Sequence, residues 1–234
     1  MNHNKHFAFF IGIIAMSFLF TACLSLDLKD LKPYPKNANL LPTLEPLFDM
    51  GTLEAYYPSQ IIGTQSIKNE IESDNTVSTR INSNSTYITR SPEAQDLLTI
   101  FNRDVKDNIT NPYGEQKGVI VCQIVQNKKQ DTFFRFLTYL SLGSSTLLGI
   151  PSGYCRTSIN VEVEIYDLSD KLIGRYTADC SKKVWSALYY GYNLNDISRK
   201  SNIDAFKCAM NDIKVQINSD ATRLNELLNS QITD

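Results

Sequence analysis

Two groups of side chains in this sequence could do chemistry or bind a ligand. Glu162 and Glu164 could act as the two carboxylates that a glycoside hydrolase requires. They alternate with apolar residues and lie near Arg175, so a charged, solvated strand face is the commoner role. An aromatic cluster could stack on sugar rings or on a peptide, although such residues more often pack at a sheet edge. Its members are Trp185, Tyr189, Tyr190 and Tyr192.

Four cysteines form a further set of reactive residues: Cys122, Cys155, Cys180 and Cys208. None is spaced as CxxC, so neither a redox motif nor a zinc site is indicated. In an oxidising compartment they could form one or two disulfides, and buried free thiols are the alternative.

Several common functions are disfavoured by what the sequence lacks. It contains neither GxxxxGK[ST] nor GxGxxG, the usual phosphate-binding loops. Its formal net charge is -2, whereas nucleic-acid binding usually requires a basic surface. We therefore expect no nucleotide cofactor, no metal and no nucleic-acid partner.

The first 22 residues have the layout of a secretory signal. A short polar start with Lys5 precedes an apolar run from Phe7 to Phe20, and Thr21 and Ala22 supply small residues for cleavage. The run has 14 residues, whereas a membrane-spanning helix needs roughly 20. Residues 1–22 are therefore predicted to be removed.

The residues that end this signal, Leu19 to Cys23, resemble the lipobox of bacterial lipoproteins, although Phe20 departs from the usual aliphatic residue. The resemblance implies that Cys23 carries lipid, including the palmitate typical of such anchors, and holds the chain on a membrane. Leu24 follows the cysteine instead of aspartate, which favours the outer membrane, with the domain facing the periplasm. Several acyl chains give lasting attachment where one is marginal.

Cleavage at this point also affects catalysis, because His3 and His6 are the only histidines. The mature chain would then lack Ser-His-Asp and Cys-His catalysis as well as histidine metal sites.

Proline and leucine dominate residues 23–58, which we interpret as a tether and strap, and residues 59–234 as one domain. The more apolar residues of the first segment are expected to pack on the domain. They are Leu44, Leu47, Phe48, Leu53, Tyr56 and Tyr57.

The helices are predicted from caps and apolar spacing. Ser91 and Pro92 indicate a helix that runs to about Asn108. Apolar residues from Ile203 to Ile217 indicate a second helix, with Ser201 as a plausible cap, and a short third helix follows from Asp220 to Leu228. Phe133 to Ile150 is predicted as a helix and loop, which could pack in the core or lie on a membrane or partner.

The clearest strand prediction is a hairpin. Residues alternate from Ile159 to Tyr166, turn at 168–171 and return to Cys180, which places Val163 opposite Tyr176 and Glu164 opposite Arg175. Other predicted strands are a central one at 119–125, buried on both faces, one at 183–189, and edge positions within 73–89 around a turn at 82–85.

Together these elements predict an α+β fold with a mainly antiparallel sheet and helices packed on one face. Residues 91–228 weakly resemble small envelope lipoproteins of unknown function and, more loosely, the α/β domain of the curli-secretion lipoprotein and of the amino-terminal part of the Tol translocation protein. The resemblance implies a non-enzymatic binding or assembly role with an envelope protein as partner. The alternatives are a glycan-binding module that uses the tyrosine cluster and a histidine-free carboxylate hydrolase. The oligomeric state is left open.

Overall fold

The computed structural model describes residues 26, 28–33, 39–69, 81–133, 149–187, 191–193 and 196–230, with backbone only at 28, 60–69 and 81–88. This part of the chain contains six strands and four α-helices. In order they are β1 (Leu44–Phe48), α1 (Met50–Tyr56), β2 (Gln60–Asn69), β3 (Ile81–Thr89), α2 (Pro92–Asp104), β4 (Gly118–Phe133), β5 (Gly153–Asp167), β6 (Leu172–Ser186), α3 (Asp196–Ser219) and α4 (Ala221–Asn229).

The main sheet has four strands in the order β1-β4-β5-β6. β4, β5 and β6 are antiparallel neighbours, but β1 pairs with β4 in parallel, from Leu44 beside Gly118 to Phe48 beside Cys122. The fold is therefore α+β as predicted, but the prediction of a mainly antiparallel sheet was wrong because the sheet is mixed.

The strand β1 comes from the segment that we assigned to the tether and strap. Leu44 and Phe48 are buried, as are Leu53 in α1 and Tyr57 just after it, whereas Leu47 and Tyr56 are exposed. The ring of Phe48 packs edge-on against Phe101 of α2 at 5.6 Å. These residues belong to the main core, and burial of such side chains contributes about 1.5–3 kcal/mol each.

A short turn before β1 also lies on the domain. We call Leu26 and residues 28–33 the docking turn; its central residues, Leu28–Leu31, form a 3₁₀ helix. Leu26 and Leu31 pack against the core, and the turn contacts both α2 and α3.

The predicted hairpin register is confirmed at every pair from Ile159 to Ile165. Ile159 lies opposite Cys180, Val163 opposite Tyr176 and Glu164 opposite Arg175. Near the turn a bulge shifts the pairing by one, so that Tyr166 lies opposite Leu172. The turn itself is closed by Asp167, whose Oδ1 accepts from the backbone N–H groups of Ser169 and Lys171.

The strands around the hairpin are longer than predicted. β4 extends eight residues past Val125 and alternates between buried and half-buried positions before becoming exposed, so it is not buried on both faces. β6 runs through Ser186, so residues 183–186 continue the hairpin and do not form a separate third strand. Their pairing with β5 continues because Gly153 still lies opposite Ser186.

β2 and β3 form a separate antiparallel pair. The chain is continuously extended through residues 82–85, so the turn predicted there was wrong. The predicted strand positions Ile81, Tyr87 and Ile88 lie in β3, whereas residues 73–80 lie outside the described residues.

The first long helix begins as predicted. Ser91 Oγ accepts a hydrogen bond from Ala94 N, and Pro92 occupies the first turn, where its missing N–H costs nothing. The helix ends at Asp104 and continues as a single wider π turn at Val105–Ile109, which agrees with the predicted end near Asn108.

The two terminal helices complete the core. Phe206, Met210, Ile213 and Ile217 of α3 are buried, as predicted, and α3 contacts both β5 and β6. It begins at Asp196, so Ser201 is a buried interior residue and not a cap. The final helix, α4, lies within one residue of its predicted bounds.

Candidate functional site

A polar cleft of about 330 Å³ lies where the end of α1, the start of α2, β4 and α3 meet. Its position follows from the local structure, since Tyr57 ends the first helix, Ser91 caps the second and Asn127 lies on the exposed half of β4. The cleft is lined by Tyr56, Tyr57, Pro58, Ser91, Glu93, Asn127, Lys129, Thr157, Ser198 and Asn202.

A chain of three side chains crosses this cleft. Asn127 Nδ2 donates to the hydroxyl oxygen of Tyr57 at 2.6 Å, and the Tyr57 hydroxyl donates to Asn202 Oδ1 at 2.6 Å. The other two amide atoms, Asn127 Oδ1 and Asn202 Nδ2, are shielded from solvent and have no hydrogen-bond partner among the described residues. Asn202 is only 5% exposed. An unsatisfied buried polar atom costs about 1–3 kcal/mol, and these two residues of the cleft lining hold one unused acceptor and one unused donor.

Charged groups lie around this chain. Burial raises the pKa of the Tyr57 phenol, the hydrogen bond to Asn202 opposes that rise, and the negative charge of Glu93 adds to it. Tyr57 is therefore a neutral hydroxyl at physiological pH. Lys129 lies on the cleft wall with its side chain 47% exposed.

The helices beside the cleft are held together by a two-bonded ion pair. Arg199 of α3 donates through Nε and Nη2 to the carboxylate of Asp96 of α2, with Nη2 to Oδ1 at 2.8 Å. Paired bonds of this kind fix orientation as well as distance. This ion pair therefore fixes α2 relative to α3 beside the cleft.

The predicted carboxylate pair lies outside the cleft and its oxygens have partners. Arg175 pairs with Glu164 and approaches Glu162 at 3.9 Å. Tyr166 donates to Glu164 at 2.6 Å, and Gln123 Nε2 donates to Glu162. The two carboxylates are charged and paired as expected, but the prediction of a solvated face was wrong, because Glu164 is buried and the Glu162 side chain is only 16% exposed.

The aromatic cluster is only partly described. Trp185 is 41% exposed and packs edge-on against Tyr154 at 5.2 Å. Tyr192 packs against a small apolar cluster of Cys155, Val184 and Ile197, and its N–H donates to the Trp185 carbonyl at 3.3 Å. Tyr189 and Tyr190 lie outside the described residues. Neither Trp185 nor Tyr192 lines the cleft.

The four cysteines divide into two kinds. Cys180 and Cys208 form a disulfide that joins β6 to α3, whereas Cys122 and Cys155 are free and buried. Burial raises the pKa of both free thiols, which keeps them protonated and unreactive at neutral pH. Cys23 lies outside the described residues, as does most of the apolar segment 133–150.

The described part of the chain lacks two further kinds of feature. No cluster of three or more histidine, cysteine, aspartate or glutamate side chains could hold a metal ion. Within those same ranges no helix combines the length and apolarity needed to cross a membrane.

Sequence reasoning missed the cleft entirely. Its residues come from five separate parts of the chain, and asparagine, tyrosine and serine at wide spacing form no recognisable motif. The one available signal was Ser91, which was identified as a helix cap and also lines the cleft.

Comparison with known proteins identifies no family. No family model matches the chain, and no curated protein matches it. Eight chains of solved structures match. One is a predicted lipoprotein from Caulobacter crescentus CB15, with 11% identity and a TM-score of 0.31, covering 58% of this chain and 83% of that one. A likeness of this size supports no inference about function.

Proposed function

We propose that this protein is a non-enzymatic, lipid-anchored component of the bacterial cell envelope whose cleft binds a segment of another envelope protein. The observation that carries the binding role is the pair of unpartnered amide atoms, Asn127 Oδ1 and Asn202 Nδ2. The anchoring role rests on the signal and lipobox pattern that ends at Cys23.

A peptide group fits the unused hydrogen-bonding capacity of the cleft. Its carbonyl oxygen can accept from Asn202 Nδ2 and its N–H can donate to Asn127 Oδ1. Because both atoms are shielded from solvent, the neighbouring side chains must move aside before a bound peptide group can pair with them. Glu93 and Lys129 then offer charges of both signs to the side chains of the bound segment.

The disulfide supports a location outside the cytoplasm. Cys180 and Cys208 are joined, and such bonds persist in oxidising compartments such as the periplasm. The absence of histidine after residue 6 supports a binding role over catalysis, as do the partners of Glu162 and Glu164. The outer membrane is proposed only because Leu24 follows Cys23.

The binding role is tested by photocrosslinking in intact cells. A photoreactive amino acid replaces Ser198, which lines the cleft, and in a matched strain it replaces Lys171 in the exposed β5–β6 turn. A discrete polypeptide product is expected from position 198 and not from position 171. Products at both positions, or at neither, contradict the proposal, and crosslinked glycan in place of polypeptide favours the glycan-binding alternative.

Two cleft variants sharpen that experiment. Asn202→Asp keeps an oxygen to accept from Tyr57 but removes the unused donor, and Lys129→Glu reverses a charge on a half-exposed side chain. Each should lower the crosslink yield from position 198 by fivefold or more, in line with about 1 kcal/mol for one hydrogen bond. The midpoint of urea denaturation reports whether the Asn202→Asp protein still folds. If that protein does not fold, the Lys129→Glu variant alone tests the cleft. An unchanged crosslink yield in folded variants would show that the crosslinked polypeptide does not bind in the cleft.

The anchor is tested by Cys23→Ser. The variant cannot receive lipid, so the protein should move from the membrane fraction to the soluble fraction after cell lysis, whereas Cys122→Ser should leave it in the membrane fraction. Metabolic labelling with radioactive palmitate should mark the wild-type chain and not Cys23→Ser. Membrane retention of Cys23→Ser would overturn the lipid anchor.

A further inference from the structure

The docking turn is fixed to the start of α3. Asp30 Oδ1 accepts from Lys200 Nζ at 2.6 Å, and the Asp30 carbonyl accepts from Lys207 Nζ at 3.2 Å. Burial opposes the charge of Lys200, but its hydrogen bonds to Asp204 and Asp30 prevail and raise its pKa, so the bond to Asp30 keeps a full positive charge. Leu26 and Leu31 pack against the core below.

This attachment leaves little free chain between the domain and the proposed lipid. Leu26 is three residues after Cys23, and three extended residues span at most about 10 Å. The polar interface of a bilayer leaflet is roughly 5–8 Å thick. The docking turn must therefore lie at the membrane surface if Cys23 is lipidated, and the domain cannot move far from it.

A series of contacts carries this surface from the docking turn to one end of the main sheet. Lys200 Nζ lies 5.7 Å from the centroid of the Tyr192 ring, and the backbone N–H of Tyr192 donates to the Trp185 carbonyl. The Trp185 ring itself lies on the face of β6 opposite to Val184, which packs against α3. Phe133 and Gly153 pair at this end of the sheet, next to Trp185. Phe133, Ile150 and Trp185 are 40%, 45% and 41% exposed.

We propose that the face formed by the docking turn, Tyr192 and Trp185 lies on the membrane surface, with Lys29 and Lys32 binding anionic lipid headgroups. We call this the membrane face. The inference rests on the proposed lipid anchor at Cys23 and adds to it a fixed orientation and a second, electrostatic attachment. It leaves the hairpin turn at 168–170 pointing away from the bilayer.

The side chains of the membrane face suit a lipid interface. Lys29 and Lys32 are exposed, while the acidic side chain between them, Asp30, is neutralised by Lys200. Basic residues next to a lipid anchor are attracted to anionic headgroups. Tryptophan and tyrosine favour the interface because one end of each ring system is apolar and the other polar. Lysine and tyrosine thus lie beside the anchor, and Trp185 lies at the adjoining end of the main sheet.

The protein carries its own probe, because Trp185 is its only tryptophan. The full lipidated chain is reconstituted into vesicles of phosphatidylcholine and phosphatidylglycerol, with or without bromine on the acyl chains near the glycerol. Bromine quenches tryptophan only at short range, so Trp185 emission should fall by half or more in the brominated vesicles. Were the hairpin turn facing the bilayer instead, Trp185 would lie about 40 Å away along β6, and its emission would not change.

Charge reversal tests the headgroup contact. Lys29→Glu with Lys32→Glu should abolish most of the quenching that phosphatidylglycerol adds over pure phosphatidylcholine, whereas Lys106→Glu with Lys128→Glu, at exposed lysines outside the membrane face, should not. Quenching that is equal in both pairs of variants overturns the headgroup contact. Protein that floats with the vesicles without any quenching overturns the membrane face, whereas protein that does not float overturns the anchor itself.

Discussion

Replacing Lys214 with methionine is expected to lower the free energy of unfolding by about 3–5 kcal/mol, because it leaves a charged partner buried alone. Lys214 Nζ donates to Asp104 Oδ1 at 2.9 Å, and both side chains are only 2% exposed. Asn108 Nδ2 donates to the same oxygen at 2.6 Å. The pair connects α3 to the end of α2 inside the main core.

The stability of the Lys214→Met variant should also depend on pH, because Asp104 is then a buried carboxyl group without its lysine partner. Burial already raises the pKa of Asp104, although Lys214 and Asn108 favour its ionised form. Without Lys214 the pKa should rise further, so the folded state takes up a proton more readily than the unfolded state. Stability linked to such a group grows as pH falls. The deficit of Lys214→Met relative to wild type should therefore shrink when the pH is lowered from neutrality.

Urea denaturation measures both effects, with a shift of the midpoint at an unchanged slope as evidence that stability alone has changed. Asp104→Asn combined with Lys214→Met removes both charges and keeps an acceptor for Asn108, so it should be about 2 kcal/mol more stable than Lys214→Met alone. Glu115→Gln is the control, since Glu115 is 91% exposed in its ion pair with Lys117 and should contribute at most about 1 kcal/mol. A Lys214→Met variant as stable as this control would show that the Asp104 carboxylate is not left buried and unpaired.

The hairpin and the helices were predictable because their signals are local. Alternation on both strands and the Glu164–Arg175 pair select one register, since a slip of one residue would turn Val161 and Val163 to the other face. Ser91 followed by proline fixes a helix start by its own hydrogen bonding. The bulge beside Tyr166 was not predictable, because its cause is the turn at Asp167, whose side chain binds two backbone N–H groups.

Non-local contacts account for what the sequence did not predict. β1 contains Pro46 and carries too few residues to show alternation, and it is a strand because β4 offers a free edge beside it. Because β4 is far from β1 in sequence, the residue pattern around β1 does not reveal this parallel pairing. Lys214 had no place in the predicted apolar stripe of its helix, because its burial depends on Asp104, 110 residues away.

The candidate site was harder to predict than the fold. Tyr57 was expected to pack on the domain, and it does, but its hydroxyl also connects Asn127 to Asn202. A tyrosine that is both buried and hydrogen-bonded looks the same in sequence as one that is merely buried. The cysteines posed the same difficulty, since four of them allow three complete pairings and only the packing of β6 against α3 brings Cys180 to Cys208.

Removing that disulfide is the second change for which a large loss is expected. Cys180 and Cys208 are separated by 28 residues, and the bond joins an edge strand to the helix that contacts it. Closing a loop of this length restricts the unfolded chain and should contribute about 3–4 kcal/mol. Cys180→Ala with Cys208→Ala should therefore lower the free energy of unfolding of the soluble Cys23→Ser protein by about that amount, measured in urea without reductant.

Reductant provides the matched control, because the other two cysteines of the described chain are already free. Dithiothreitol should lower the urea midpoint of the Cys23→Ser protein to near that of the double alanine variant and leave the variant's own midpoint unchanged. Alkylation of the unfolded, unreduced protein should modify Cys122 and Cys155 alone. If reductant shifts neither midpoint, or if alkylation modifies all four residues, the bond does not form in the protein. The disulfide would then no longer support a location in an oxidising compartment. The proposed lipid anchor would be unaffected, because it rests on Cys23.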